Sequence, residues 1–155
     1  MPTTDKRQIL INKIKAALAL ILSASGYYTN LGQKVTEGKV NPFDTNRVDG
    51  VDVLDTSDDI EDDTTDEARE IEQHTVTIQI STIAKNSITA ETARQHTADV
   101  RKAIKTLYSD AWCAENLNDI RNTGNGLEIE QSRDKIIGVV HNFEFDFTTL
   151  KLEEA

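Results

Sequence analysis

The first regular pattern in the chain is an apolar stripe with helical spacing over residues 6 to 25. Four apolar side chains recur at intervals of three and four residues, so one helical face carries Leu10, Ile14, Ala17 and Ile21. Asp5 and Gln8 have the spacing of a capping box, and Gly26 stands where a helix could end in the left-handed conformation. The basic lead and apolar run also imitate a secretory signal, but the periodicity favours a helix.

A second amphipathic helix is predicted over residues 89 to 108. Its apolar face holds Ala93, Val100, Ala103, Ile104 and Leu107. Its charged side chains fall largely outside that face: Arg94, Asp99, Arg101, Lys102 and Lys105. His96 lies close to the apolar stripe, where packing is a more common role than acid or base chemistry.

Alternation of apolar and polar residues predicts strands elsewhere. Val76, Ile78 and Ile80 alternate with polar residues, and the stretch KIIGVVHNFEFDFTTL places its apolar residues, including three phenylalanines, on one face. Residues 122 to 126, NTGNG, predict a turn before a short strand at Leu127 and Ile129. This order predicts a single α+β domain over residues 1 to 155, in which an antiparallel or mixed sheet packs on two main helices.

Negative charge is concentrated in one segment. Residues 49 to 72 contain 12 of the 27 acidic residues and 1 of the 17 basic residues, so the net charge of -10 belongs almost entirely to that segment. The region of about 55 to 70 has almost no large apolar residue, which predicts a hydrated acidic loop. Its candidate functional carboxylates are Asp55, Asp58, Asp59, Glu61, Asp62, Asp63 and Asp66.

Three interpretations of the acidic segment compete: a metal site, a surface that repels or imitates nucleic acid, and a solvated loop. Asp55, Ser57 and Asp59 have the spacing of the first calcium ligands of an EF-hand. However, Ile60 occupies the position of the required glycine, and Asp66 that of the bidentate glutamate. The metal interpretation is therefore the weaker one, and no basic footprint for reading nucleic acid accompanies the segment.

The chain carries no recognisable set of catalytic residues. It lacks a nucleophile elbow, a phosphate-binding loop and the paired histidines or cysteines of a zinc site. The single cysteine, Cys113, excludes an internal disulfide framework and fits a small buried residue. His74 fits the end of a strand. We therefore predict no catalytic, cofactor-binding or metal-binding residues, and a non-enzymatic role.

Four segments together resemble the tail terminator proteins of long-tailed bacteriophages. They are the opening helix ILINKIKAALALIL, the strand HTVTIQIST, the helix containing ADVRKAI and the closing strand GVVHNFEFDFTT. The resemblance implies a small α+β protein of the virion, assembled in the host cytoplasm. It implies a homohexameric ring that caps the tail tube protein, ends its polymerisation and joins it to the head-tail connector protein.

In such a ring, DNA would pass through the lumen without specific binding, and the acidic loop would either face that channel or lie on the outer rim. The extra apolar residues at the end of the first helix are the candidate subunit contact, with an intramolecular core as the alternative: Leu18, Leu20, Ile21 and Leu22. Three other roles remain open. They are another small neck or head-completion protein, a monomeric module whose acidic loop imitates nucleic acid, and, as the weakest, an enzyme that uses Asp or Glu with a metal. No membrane partner is expected, because the apolar run is too short and too charged to span a bilayer.

Overall fold

One mixed five-stranded sheet and three α-helices make up the part of the chain that the computed structural model describes, residues 5–38, 49–63, 71–130 and 134–150. In chain order the elements are α1 (Lys6–Leu18), β1 (Val35–Glu37), β2 (Gly50–Asp63), β3 (Ile71–Ile83), α2 (Ala90–Lys105), α3 (Ala111–Asn116), β4 (Leu117–Glu130) and β5 (Lys135–Leu150). The predicted α+β class and the single domain are confirmed.

The strands lie in the order β1-β2-β3-β5-β4, with β1 parallel to β2 and the other neighbours antiparallel. Because β1 pairs only with Val51 to Val53 of β2, the rest of β2 is an edge of the sheet in the described part of the chain. The whole of β4 forms the opposite edge. The centre of the sheet is β3, which pairs with β2 along its whole length and with β5 from Ile71 to Ser81.

The core lies between one sheet face and the helices. Alternate residues of β3 and β5 are buried there, and the predicted apolar face of β5 is confirmed: Ile137, Val139, Phe143, Phe145 and Phe147. His141 lies on the same face, and burial lowers its pKa to about 4, so a neutral imidazole packs in the core. Cys113 is also buried, as predicted, and burial raises its pKa to about 12.

Helix α1 begins as predicted but ends earlier. The side chain of Asp5 accepts a hydrogen bond from the backbone N–H of Gln8 at 2.6 Å, whereas the helix stops at Leu18 instead of continuing to residue 25. The chain turns there because Gly32 packs against it, donating its N–H to the carbonyl of Ile21 at 2.8 Å. Gly26 does adopt the left-handed conformation, with φ of 90°, but it ends a short 3₁₀ turn.

Helix α2 follows its prediction closely, with Thr89 as its N-cap and the expected apolar face buried. Asp99 was predicted to lie outside that face and is instead buried. Its carboxylate accepts hydrogen bonds from the backbone N–H groups of Tyr28 at 3.1 Å and Thr29 at 2.8 Å. A sequence pattern could not show this role, because the loop that it holds is far away in the chain.

Two predicted irregular segments are strands. The acidic region at 55–63 is part of β2, paired with β3, so the prediction of a loop there is wrong. The predicted turn at 122–126 is also wrong, because these residues continue β4 through a bulge between Asn122 and Gly124. In both cases a backbone ladder with a neighbouring strand, interrupted only at a bulge, outweighs the weak strand preference of Asp, Asn and Gly.

Gly138 tests the close packing of the sheet. A Cβ atom there would collide with the carbonyl oxygen of Thr82, whereas a Cβ atom on Gly126 of β4 would meet nothing within 4 Å. We expect Gly138→Ala to lower the free energy of unfolding by about 2 kcal/mol or more. Gly126→Ala is the control and should change it by about 0.5 kcal/mol at most. Urea denaturation measures both, and equal effects would contradict this register.

Candidate functional site

The acidic part of β2 distributes its carboxylates over both faces of the sheet. Asp55 pairs with Ile78 on the helix-covered face, and after a bulge Asp58 pairs with Val76 on that same face. Asp59 and Glu61 pair with Thr75 and Gln73, whose side chains lie on the other face. Because successive strand residues point in opposite directions, the segment cannot act as one acidic patch.

The remaining candidate carboxylates divide between the strand and the chain beyond it. Asp62 and Asp63 belong to β2, and Asp66 lies outside the described residues. The predicted channel-facing group of seven is therefore not a single site. The structure does bring Asp55 and Asp58 together at Arg7 of α1. The guanidinium of Arg7 lies 3.8 Å from the carboxylate of Asp55 and 3.5 Å from that of Asp58.

A buried polar chain connects three strands on the helix-covered side. Both carboxylate oxygens of Asp58 lie 3.0 Å from Nδ1 of His74. The other ring nitrogen, Nε2, lies 2.9 Å from Oγ1 of Thr149 and 3.7 Å from a carboxylate oxygen of Glu72. The imidazole stacks on Phe147, with ring centroids 4.9 Å apart.

Carboxylate, imidazole and hydroxyl follow one another in the order of a relay that activates a nucleophile. A nucleophile must reach its substrate, and Thr149 is only 5% exposed and does not line the cleft described below. What the arrangement does is satisfy the polar groups of a buried histidine and tie β2, β3 and β5 together near the start of α1.

The opposite, open face of the sheet carries an ion cluster centred on Arg121 of β4. Its guanidinium donates two hydrogen bonds to Asp146, at 2.6 and 3.0 Å, and one each to Glu144 at 2.8 Å and Asp119 at 2.7 Å. Thr75 also donates to Asp146, at 2.9 Å. These hydrogen bonds, those from Arg121 foremost, lower the pKa of Asp146. Arg121 thus holds both carboxylates of β5 in place, and the lowered pKa keeps Asp146 ionised.

A cleft of about 580 Å³ lies beside this cluster. One wall carries Asp59 and Glu61 of β2, and the other carries Arg121, Glu144 and Asp146. Within the described residues, the side-chain carboxylates of Asp59 and Glu61 have no hydrogen-bond or ion-pair partner. Four carboxylates facing one guanidinium give the cleft a net negative charge, so its chemistry suits a cationic group.

A second pair of carboxylates lies farther along the open face. Asp52 is buried and accepts a hydrogen bond from Thr36 at 2.6 Å. Glu128 of β4 lies near it, and one of its carboxylate oxygens is buried without a hydrogen-bond partner in the described part of the chain. Burial, and then the negative charge of Asp52, raise the pKa of Glu128.

The four candidate residues for a subunit contact have different environments. Leu18 and Ile21 are fully buried in the core of the domain, so the prediction is wrong for these two. Leu22 is partly buried. Leu20 is 53% exposed, because the chain leaves the helix after Leu18 and turns this side chain outward.

Neither a metal centre nor a membrane-spanning helix is found among the described residues. Within them, no group of three or more His, Cys, Asp or Glu side chains is arranged to hold a metal ion. None of the helices found there is long and apolar enough to cross a bilayer.

Sequence reasoning did not identify the two centres of these clusters, His74 and Arg121. A usable signal for His74 was the two-residue alternation of β3. His74 falls in the same series as Val76 and Ile78, which places it on the buried face. Arg121 gave no such signal, since it stands directly before the segment 122–126 whose composition predicts a turn. Its three carboxylate partners come from β4 and β5 and meet only through the strand register.

Comparison with known proteins adds no assignment, since neither a family model nor a curated protein sequence matches the chain.

Two adjacent carboxylates of β2 allow a matched test of its alternation. Asp58→Ala leaves the buried His74 ring without its Nδ1 partner, so we expect a loss of about 2 kcal/mol in the free energy of unfolding. Asp59→Ala removes the same charge from the open face, and in the unassembled subunit it should change the free energy of unfolding by about 0.5 kcal/mol at most. Chemical denaturation at neutral pH compares the two. Equal losses would show that 55–63 behaves as a solvated segment after all.

The Glu128 carboxyl predicts a pH-dependent difference in stability. Folding raises the pKa of the Glu128 carboxyl. Its contribution to the free energy of unfolding is therefore fully present below the unfolded-state pKa of about 4.3 and is lost as pH rises through the folded-state pKa. Glu128→Gln stays neutral and can donate to Asp52, so it should be more stable than the unaltered protein at pH 7. That advantage should vanish as pH falls toward about 4.

The matched control is Glu115→Gln, which makes the same amide substitution at an exposed position of α3, outside the proposed clusters, and should show no such pH-dependent advantage. Thermal denaturation across this pH range measures both variants. An advantage of Glu128→Gln that is the same at every pH would contradict the raised pKa.

Proposed function

We propose that this chain is a structural assembly protein of the bacteriophage tail terminator type. In this role six copies form a ring that caps the tail tube, ends its polymerisation and joins it to the head-tail connector, within the virion. The protein works by presenting fixed surfaces to copies of itself and to its neighbours, and it catalyses no reaction.

One observation carries this proposal: a wide face of the five-stranded sheet is left uncovered by the described elements. Both main helices pack on the other face, where the core lies. The open face carries a cleft, and beside it carboxylates that Arg121 holds in position. A face of this kind suits a protein partner.

The two sheet edges support the same proposal. The 14 residues of β4 have a neighbour on one side only within the described chain, and Leu127 and Ile129 of this strand are exposed. Unpaired edges normally carry a risk of uncontrolled association, and a protein that assembles can use them as contacts. The acidic residues of β2 protect the other edge, since charge on an edge opposes unwanted pairing.

The charge of the chain agrees with a lumen through which DNA passes. A net charge of -10 opposes adhesion of the phosphate backbone, because like charges repel. Among the carboxylates predicted to face the channel, Asp58 is engaged by His74 and is unsuited to that role.

Particle mass tests this proposal directly. Six copies of the 17.3 kDa chain give a particle of about 104 kDa, which light scattering after size exclusion would measure. The same particle should cap purified tail tubes and prevent their further growth. A persistent 17.3 kDa monomer that leaves tube growth unchanged would overturn the proposal, and its co-purification with a basic protein would favour nucleic-acid mimicry.

A further inference from the structure

Helix α2 carries a basic stripe on its outer side. Arg94, Arg101 and Lys105 are exposed and lie seven and four residues apart, so they share one side of the helix and extend over about 16 Å. Within the described residues none of the three has an ion-pair partner. The stripe is therefore a row of cations that the subunit itself does not neutralise.

The neighbouring base shows the contrast. Lys102 donates to the carbonyl of Gly26 at 2.8 Å and lies 4.7 Å from the centre of the Tyr27 ring. It is thus used inside the subunit, to hold the loop after α1. Arg94, Arg101 and Lys105 have no comparable internal role in the described structure.

The open sheet face carries the opposite charge in a matching arrangement. One row across four strands contains Asp59 of β2, Thr75 of β3, Asp146 of β5 and Asp119 of β4. Three gaps between neighbouring strands span about 14 Å, close to the length of the basic stripe. Glu61 and Glu144 lie beside this row.

These two surfaces lie on opposite sides of the domain. Helix α2 packs on the covered sheet face, where His96 contacts Thr82 at 2.8 Å, so its outer side points away from the sheet. The acidic face looks in the other direction. The subunit therefore has one basic side and one acidic side, and two copies placed in the same orientation would bring unlike charges together.

We propose that the open sheet face of one copy binds the outer side of α2 of the next copy. Arg94, Arg101 and Lys105 enter the cleft and neutralise Asp59 and Glu61, which have no partner within the described subunit. Arg121 keeps Glu144 and Asp146 in position beside them. The inference rests on the proposed function, because it specifies how copies of this chain meet.

A contact between two different surfaces is heterologous, and it closes into a ring when the rotation between copies permits. An isologous pairing of two acidic faces would instead place like charges together and so oppose association. A second copy is preferred as the occupant because the complementary charge lies in the same chain. The contact also takes Asp59 and Glu61 out of the channel, one of the two positions that the sequence leaves open for them.

Charge reversal tests the contact. Arg101→Glu with Lys105→Glu makes the helix side acidic, and Asp59→Lys with Glu61→Lys makes the cleft basic. Each double variant alone opposes like charges, so the dissociation constant of assembly should rise about 100-fold or more. Light scattering across a concentration series measures it. Both variants alter exposed residues, and circular dichroism confirms that each one folds.

Mixing the two variants supplies the decisive observation. The helix variant keeps its acidic cleft, which fits the unaltered basic helix of the cleft variant. The basic cleft of the cleft variant in turn fits the acidic helix of the helix variant. An equimolar mixture should therefore restore assembly to the size of the unaltered protein, with the two variants alternating. A chain that carries all four substitutions should assemble by itself for the same reason.

The control is Lys85→Glu with Lys135→Glu, which reverses two exposed bases away from α2 and gives the same net charge as the helix variant. It should assemble as the unaltered protein does. If the unaltered protein forms the ring while both reversals still assemble, the face-to-helix contact is overturned and the proposed function stands. If the unaltered protein is a monomer at every concentration, the proposed function itself fails.

Discussion

The register of β3 against both of its neighbours decides the organisation of this protein. Since β3 pairs antiparallel with β2 on one side and β5 on the other, a shift by one residue would exchange the two faces of the sheet. The three phenylalanines of β5 would then enter water, and Glu144 and Asp146 would enter the core. The burial of Phe143, Phe145 and Phe147 opposes any such shift.

That register also sorts the charges. Asp58 turns inward to a buried histidine, whereas the next residue, Asp59, turns outward to the open cleft. The bulge at Asp55 to Ser57 is essential to this outcome, because it changes the alternation of β2 midway along the strand. One acidic segment thereby serves both the interior of the domain and its exposed surface.

The open face and the outer side of α2 follow from the same two-layer arrangement. With the helices confined to one face of the sheet, the other face must be covered by a partner or exposed to solvent, and a polar composition lets it remain soluble until it is covered. Arg121 holds the β5 carboxylates, so the acidic surface keeps a defined shape. The proposed contact between copies pairs the bases of α2 with Asp59 and Glu61, beside the β5 carboxylates that Arg121 holds.

The sequence by itself determined both main helices, the buried face of β5, the central strand β3 and the α+β class. Each of these is a local periodicity, and burial of one face is enough to enforce it. Tertiary structure alone decided that residues 55–63 and 122–126 are strands, that α1 ends at Leu18, and that His74 and Arg121 sit at the centres of polar clusters. These features depend on residues distant in the chain. A neighbouring strand, or a closely packed glycine such as Gly32, stabilises them through contacts that a local sequence pattern does not contain.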